Sequence, residues 1–342
     1  LQKNIEAGIG KRSSSKPVLS LVAAYAYPNA SVVTMEADGW FGEEVYCRYF
    51  DENRIEIDSP VKSVVYPEFV VYCCSNPLAR FMSITEAVEE SVMQVVPLLN
   101  RTVDDPKYSL SLCLSPLYGN ESKWILLAEL IEHYKLQGVM HFYVYIKDID
   151  DYSRKLIDDY IETGEVETIF FSDKQHRMGK DWQLAGVKDC LHRSRYHSRY
   201  SIFADLDERI MTTTNNISLA EYVFILNLRQ VCCGYTASGS ILLSIRNVCE
   251  TKNSFQVLDM WVHRAMAYFP GYGHCKASAN EAILMHYRFS NDEWQYDVPQ
   301  RLLNYGTFET WHYPEHLMRR LYLNIKERLD RVYGNSEHKL LV

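Results

Sequence analysis

Short apolar runs alternate with segments of helical spacing through the middle of this chain. The apolar runs begin at Tyr108 (YSLSLCL), His141 (HFYVYI), Val166 (VETIFF) and Tyr200 (YSIFA). Between them, apolar side chains recur at helical intervals in residues 123–136, 150–163 and 182–195. Strand–helix repeats of this length favour a largely parallel sheet, with ligands bound beyond the carboxyl ends of the strands. The alternation therefore predicts an α/β domain.

The chain divides by composition into four segments. Residues 1–16 are polar, contain three consecutive serines and predict a flexible stem. Residues 17–106 carry β-type runs, including one from Ser63 to Cys74 and a strand around Val92–Val96, and predict a smaller antiparallel β-rich domain. Residues 107–305 hold the α/β domain. Residues 306–342 form a helical extension, in which His316–Val332 is expected to be a packing helix.

Composition indicates a soluble globular protein and excludes some partners. The chain has 342 residues, of which 47% are hydrophobic and 23% charged, and its net charge is -8. This acidic balance argues against nucleic acid as a partner. The sequence has no apolar run of 18 residues, so we expect no membrane span within it. Because the chain begins at Leu1 and not at Met, we expect it to be a trimmed form of a longer protein. An N-terminal membrane anchor in that longer protein is compatible with this sequence.

Cysteines and glycosylation sequons favour the lumen of the secretory pathway. There are nine cysteines, so disulfides are expected and at least one thiol is free or paired between chains, which leaves a homodimer open. The N-x-S/T triplets begin at Asn29, Asn100, Asn120 and Asn216. Asn120 falls in the loop after the first strand of the α/β domain, where we expect a cleft and no glycan.

The strand from Tyr200 ends in an Asp-x-Asp pair, Asp205 and Asp207. Residues two apart on a strand point the same way, so both carboxylates can reach one ion while Leu206 faces the core. Carboxylate oxygens suit Mg²⁺ or Mn²⁺, and such an ion can bridge the protein to a diphosphate. The alternative is a surface turn after a strand.

Other polar residues can complete such a site. His286 or His263 can be a third metal ligand, and Arg288 can hold a phosphate; a buried, hydrogen-bonded core histidine is the alternative. Glu208 is expected to support the metal site and Arg209 to pair with either aspartate. The basic segment 192–199 (HRSRYHSR) attracts a diphosphate in one interpretation and is a solvated helix end in the other.

These segments together resemble glycosyltransferase family 92. The resemblance rests on LCLSPLYGNESKWILLAELIEHYKLQGVMHFYVYI, DDYSRKLIDDYIETGEVE, DCLHRSRYHSRYSIFADLDERI and the later WVH and HYR. It implies a GT-A-type fold, Mn²⁺ or Mg²⁺, and inverting transfer of galactose from UDP-galactose to a glycan hydroxyl, β1,4 to fucose or galactose on N-glycans. It also implies a type II membrane protein of the Golgi lumen, whose transmembrane helix is absent from this chain.

The resemblance assigns roles to individual residues. It places Asp205 and Asp207 on the metal and the UDP diphosphate. The nucleotide would lie against Leu117, Tyr118, Asn120 and Glu121. The chain departs from the family pattern in having no clear x-Glu-Asp motif for the catalytic base. Asp259 is our prediction for that base, ahead of Glu250 and Glu281.

Two other function classes share features with this sequence. Haloacid-dehalogenase-type phosphatases also place Asp-x-Asp after a strand, but on the first strand of the domain and with Thr or Val two residues after the second Asp. Here the pair is on the fourth strand, and Arg209 occupies the position of that Thr or Val. A glycan-binding protein without catalysis would keep the β-rich segment and need no metal.

Overall fold

Four sheets and five α-helices make up the part of the chain that the structure describes. The computed structural model describes residues 18–102, 105–172, 175, 177–213, 217–228, 257–262, 264–269, 277, 280–287 and 313–334. Within these ranges, none of the helices is both long and apolar enough to cross a bilayer.

The first sheet has seven strands and is mostly antiparallel. Its order is β4-β3-β6-β7-β1-β2-β5, and only β1 and β7 run parallel. The β-rich character of this segment is confirmed, and its folding as a separate domain stays a prediction. The strands are β1 Leu21–Tyr27, β2 Ala30–Met35, β3 Glu44–Phe50, β4 Glu56–Val64, β5 Val70–Cys73, β6 Phe81–Thr85 and β7 Val96–Asn100.

Two strand predictions in this segment were wrong in their bounds. The run Ser63–Cys74 is divided between β4 and β5 by a turn around the cis Tyr66–Pro67 bond. The strand predicted around Val92–Val96 begins only at Val96. Before it, Gln94 Oε1 accepts a hydrogen bond from the N–H of Leu21 (2.8 Å), and Gln94 Nε2 donates to the Leu21 carbonyl (2.9 Å). These side-chain hydrogen bonds take the place of backbone pairing between strands.

The second sheet is parallel throughout, as the alternation predicts. Its strands are β8 Tyr108–Leu117, β9 His141–Ile146, β10 Val166–Phe170 and β11 Ser198–Ala204, in the order β10-β9-β8-β11. All six residues of β9 are buried, as expected for a strand covered on both faces. Because the strands are parallel, their carboxyl ends share one edge, which we call the carboxyl edge.

Helices cover both faces of the parallel sheet. Leu112 and Val144 enter a core with α1 Trp124–Leu136 and α2 Asp151–Glu162, whereas their neighbours Cys113 and Tyr145 enter a second core with α3 Gln183–Ser194. Gly138 follows α1 with φ 88°, and a Cβ there would lie 2.5 Å from the Cβ of Ala220. The glycine therefore ends the helix in a left-handed turn, as predicted.

The remaining elements lie beyond this sheet. Strand β12 Glu208–Thr212 pairs with β15 Ala282–His286, and β13 Val257–Trp261 pairs with β14 Arg264–Tyr268; both pairs are antiparallel. The last two helices are α4 Leu219–Leu228 and α5 Glu315–Tyr333. Helix α5 packs on α1 and α2 and confirms the predicted packing helix.

Asp189 on α3 joins the two large sheets. Its carboxylate is fully buried and accepts hydrogen bonds from Tyr25 Oη of β1 (2.7 Å) and Tyr145 Oη of β9 (2.6 Å), as well as from Thr34 of β2. It also pairs with Arg193 Nε at 2.8 Å. One carboxylate therefore holds strands of both sheets against one helix.

Two disulfides occur among the described cysteines, in agreement with the prediction. Cys47–Cys73 lies within the first sheet, and Cys113–Cys190 joins β8 to α3. Cys74 is free and exposed.

Buried histidines are held in the neutral form. His133 Nε2 donates to the carbonyl of Ile210 (3.0 Å), and its Nδ1 accepts from Tyr313 Oη (2.8 Å). Burial lowers the pKa of His133 to about 3. Burial also lowers the pKa of His197 to about 3, and it holds the pKa of His192 well below the ordinary value.

These pKa values predict a loss of stability in mild acid. Below pH ~6.5 the unfolded chain binds a proton at each of these histidines. In the folded chain His133 and His197 bind none until about pH 3, and the pKa of His192 also lies well below its ordinary value, so the free energy of unfolding falls as pH drops. His133→Gln removes one such group. We expect the wild-type minus variant difference in unfolding free energy, measured by urea denaturation, to shrink by about 2 kcal/mol from pH 7 to pH 5. A constant difference over that range would contradict the assignment.

Candidate active site

The Asp-x-Asp pair lies in a turn at the carboxyl edge, between β11 and β12. The backbone N–H of Asp205 donates to Glu208 Oε2 (2.9 Å), and the N–H of Glu208 donates back to the Asp205 carbonyl (3.1 Å). The sequence predicts the pair on the strand itself, which is wrong, because this hydrogen-bonded reversal ends β11 at Ala204. Leu206 packs on the core, as predicted.

One oxygen of Asp205 is fixed by two side chains. Gln183, the first residue of α3, donates from Nε2 to Oδ1 at 2.8 Å, and the hydroxyl of Ser115 on β8 donates to the same oxygen. Gln183 Nε2 also donates to Ser115 Oγ at 3.1 Å. Within the described part of the chain, the hydrogen bonds to this carboxylate all reach Oδ1, so Oδ2 can serve a ligand.

Strand β15 brings a histidine to the second aspartate. Glu208 and His286 are paired across the β12–β15 ladder, and Tyr287 N–H donates to the Asp207 carbonyl at 2.8 Å. His286 Nε2 consequently lies 3.2 Å from Asp207 Oδ2. Both side chains are partly exposed, at 40% for the histidine and 31% for the aspartate. His263, the other predicted ligand, lies outside the described residues, as does Arg288.

Two buried charged residues, Glu208 and Arg209, lie next to the Asp-x-Asp turn on its core side. Glu208 is buried, and burial raises the pKa of its carboxyl. Arg209 is also buried, and its Nη1 donates to the carbonyls of Leu206 (2.8 Å) and Glu208 (3.0 Å). The predicted pairing of Arg209 with an aspartate was wrong, because the guanidinium is used on turn carbonyls and lies 3.8 Å from Glu129.

The donor set at this edge fits a divalent cation. Asp205 contributes a carboxylate with one oxygen already oriented, and Asp207 and His286 contribute a carboxylate and an imidazole that lie side by side. Carboxylate and imidazole donors bind divalent metals, and carboxylates suit Mg²⁺ and Mn²⁺. Asp205, Asp207 and His286 do not form a group whose ligand atoms all lie within 4.8 Å of one another among the described residues, so their joint binding of one ion stays a prediction.

Comparison with known proteins bears directly on this region. Residues 108–238 match the family model described as Glycosyltransferase family 92. The match contains β8, the Asp-x-Asp turn and the elements between them, so it covers the first three segments that carry the resemblance but not the later WVH and HYR. Residues 108–238 belong to glycosyltransferase family 92.

A curated relative agrees with this family. The β-1,4-galactosyltransferase galt-1 of Caenorhabditis elegans is 29% identical over 126 residues, which is 36% of this chain and 30% of the relative. The match therefore spans less than a third of that protein. Among solved structures, β-glucuronidase from Ruminococcus gnavus is similar at 12% identity and a TM-score of 0.20, over 54% of this chain and 37% of that one. A similarity this low carries no argument about fold.

The first strand–helix loop of the family 92 region lies at the same edge. Tyr118 is about half exposed, and its ring lies against Gly179, where an added Cβ would be 2.1 Å from the ring. Asn120 and Glu121 are exposed, and Glu121 pairs with a lysine at 3.1 Å. Leu117 differs, since its side chain is buried in the core and its carbonyl accepts hydrogen bonds from the N–H groups of Lys147 (2.8 Å) and Asp148 (3.2 Å). The nucleotide roles of these four residues stay predictions.

Asp259, predicted as the base, is held in an ion pair. Its carboxylate accepts hydrogen bonds from Lys188 Nζ of α3, whose side chain is 3% exposed, and from the N–H of Met260 at 2.8 Å. Val262, three residues further on, lines a small cavity beside Asp205, so the end of β13 reaches the site. Of the two lower-ranked candidates, Glu281 lies just before β15, and Glu250 lies outside the described residues.

The basic segment 192–199 does not lie at this edge. Gln183 begins α3 at the Asp-x-Asp turn, and His192, where the basic segment begins, lies about 14 Å further along the helix axis. His192, Arg193 and Arg195 are buried, so both sequence interpretations, a diphosphate site and a solvated helix end, were wrong. Asp189 and Glu167 supply carboxylates to Arg193, and Arg195 Nη2 donates to the carbonyl of Val257 at 2.9 Å.

Among the described residues, the group with metal-ligand spacing occurs at the opposite edge of the parallel sheet. Ligand atoms of His141, Glu167 and His197 lie within 4.8 Å of one another. Both oxygens of Glu167 accept hydrogen bonds from Arg101 at 2.8 Å, and one also accepts from Arg193 at 2.8 Å. Two guanidinium groups on the shared carboxylate repel a cation, so this group is an ion-pair network.

Sequence reasoning missed Ser115 and Gln183 as site residues. Ser115 directly follows the predicted strand YSLSLCL, and Gln183 is the second residue of the predicted helix 182–195, so each was visible only as part of a local element. Among the sequons, Asn29 and Asn100 are exposed and Asn216 lies outside the described residues. Their glycosylation stays a prediction.

Proposed function

We propose that this chain is the catalytic part of an inverting, metal-dependent galactosyltransferase. The substrates would be UDP-galactose and a hydroxyl of a glycan, with β1,4 transfer to fucose or galactose on N-glycans. The observation that carries the proposal is the Asp-x-Asp turn at the carboxyl edge of a parallel sheet, with His286 3.2 Å from its second aspartate. The family match and the β-1,4-galactosyltransferase activity of the relative from Caenorhabditis elegans support it.

Different residues of the chain would hold the metal, the nucleotide and the acceptor proton. Asp205, Asp207 and His286 would hold Mn²⁺ or Mg²⁺, which when bound neutralises charge on a leaving diphosphate. The Tyr118–Glu121 loop would hold the nucleotide, with Arg288 on a phosphate. A carboxylate on the other face of the sugar would take the proton of the acceptor hydroxyl as it attacks the anomeric carbon. The catalytic unit would be of GT-A type, and the full-length protein a type II protein of the Golgi lumen.

Asp259 is our proposal for the accepting carboxylate, and its ion pair makes the proposal testable. An ammonium partner competes with a proton for the same oxygen, so Lys188 would have to release it during turnover. Asp259→Asn is expected to lower kcat about 10²-fold to 10⁴-fold with little change in KM. If kcat is retained while the melting temperature falls, Asp259 is an ion-pair partner and not the base.

A donor and acceptor screen tests the proposed function. The protein with MnCl₂ would be assayed for nucleotide release from UDP-galactose, UDP-glucose, UDP-N-acetylglucosamine and GDP-mannose, with and without fucosylated and galactosylated N-glycans. We expect release that depends on UDP-galactose and rises with acceptor. Glycan binding without turnover of any donor would favour the glycan-binding alternative. The phosphatase alternative requires phosphate release, and the position of the pair after the fourth strand of the parallel sheet disfavours it.

A further inference from the structure

We propose that Gln183 and Ser115 are positioning residues that orient Asp205 toward the divalent cation. The inference rests on the proposed function, because it concerns how the metal site is held. It adds two residues from outside the Asp-x-Asp turn, on two other elements of the parallel-sheet unit. Neither residue is placed on the metal or the substrate.

The three side chains form a closed hydrogen-bonded triangle. Gln183 Nε2 donates one N–H to Asp205 Oδ1 (2.8 Å) and the other to Ser115 Oγ (3.1 Å). Because the serine oxygen accepts from the amide, its own proton is directed to Oδ1. Two donors on one oxygen fix the rotation of the carboxylate. The second oxygen is then presented in a constant direction.

A disulfide and a close helix–strand contact hold the elements that carry these side chains in place. The Cys113–Cys190 disulfide joins the strand that bears Ser115 to the helix that begins at Gln183. Gly186, one turn into that helix, lets the helix approach the strand, since a Cβ there would lie 2.8 Å from Cγ of Pro116. Close approach at this point is what brings the amide of Gln183 within reach of Asp205. Hydrogen bonds that orient metal ligands affect metal affinity strongly.

Removing the hydrogen bonds that orient Asp205 is expected to weaken the binding of the metal ion. Gln183→Met preserves length and removes both donors, and Ser115→Ala removes the hydroxyl. We expect each to raise the dissociation constant for Mn²⁺, in the presence of UDP, roughly 10-fold to 100-fold. Ser115→Thr keeps the hydroxyl and is expected to restore wild-type affinity. Binding would be measured as loss of the free Mn²⁺ signal in electron paramagnetic resonance.

Gln137→Met is the matched control. This buried glutamine accepts a hydrogen bond from the N–H of Leu219 at 3.2 Å at the start of α4, so its loss should lower the melting temperature and leave Mn²⁺ affinity unchanged. If wild-type protein binds no Mn²⁺ with UDP present, the proposed metal site fails. If wild type binds and both Gln183→Met and Ser115→Ala bind equally well, only the positioning role is overturned. Should Gln183→Met not fold, equal Mn²⁺ affinity of Ser115→Ala and Ser115→Thr would overturn that role, and weaker binding by Ser115→Ala alone would support it.

Discussion

Replacing Asp207 with Ala is expected to lower galactose transfer by roughly 10³-fold, because it removes a proposed ligand of the ion that stabilises the leaving diphosphate. The side chain is 31% exposed, and its hydrogen bond in the described structure is to His286. Little folding energy depends on that contact, so the melting temperature should stay within about 2 °C of wild type. Initial rates at saturating UDP-galactose and MnCl₂ measure the effect.

Asp158→Ala is the control for this substitution. Asp158 is exposed to a similar degree and pairs with Arg154 on the surface of α2. We expect it to leave the transfer rate unchanged. If Asp207→Ala transfers galactose at the wild-type rate, Asp207 is not a metal ligand and the turn has only a structural role.

Asp189→Ala is expected to cost about 3–5 kcal/mol of unfolding free energy, the range for breaking a buried ion pair. The substitution takes the acceptor from Tyr25 and Tyr145 and leaves Arg193 with Glu167 as its remaining carboxylate. Since these groups come from both large sheets, we expect the sheets to lose their common support. Urea denaturation followed by tryptophan fluorescence measures the change.

Tyr25→Phe provides a graded comparison. It removes one of the donors to Asp189 and leaves the others, so a loss of about 1 kcal/mol is expected. A loss below about 1 kcal/mol for Asp189→Ala would contradict its role as the junction between the sheets.

Local patterns were enough to predict the parallel sheet and its helices. The strand at residues 141–146 and the helix ended by Gly138 depend on short-range periodicity and on one glycine conformation, which the sequence displays directly. The Asp-x-Asp pair was likewise visible as a motif. A turn at this place was only the alternative interpretation, because the contact that closes it, from the Glu208 side chain to the Asp205 backbone, is not visible in the motif.

Long-range contacts account for what the sequence did not predict. Ser115 and Gln183 are 68 residues apart in sequence and both contact Asp205. Neither segment contains a pattern that predicts its contact with the other. The basic segment 192–199 was misassigned for the same reason. Its charges are evident in the sequence, but Glu167, which pairs with Arg193, and the Val257 carbonyl, which accepts from Arg195, become neighbours of the segment only in the fold.

The most direct test of the account is metal-dependent transfer by the wild-type protein. Galactose transfer from UDP-galactose to a fucosylated or galactosylated N-glycan would be measured after removal of metal with EDTA and again after addition of MnCl₂. The account predicts loss of transfer on chelation and recovery with Mn²⁺ in wild type, with no recovery in Asp207→Ala. Transfer that persists unchanged in EDTA would contradict the assignment of Asp205, Asp207 and His286 as a metal site.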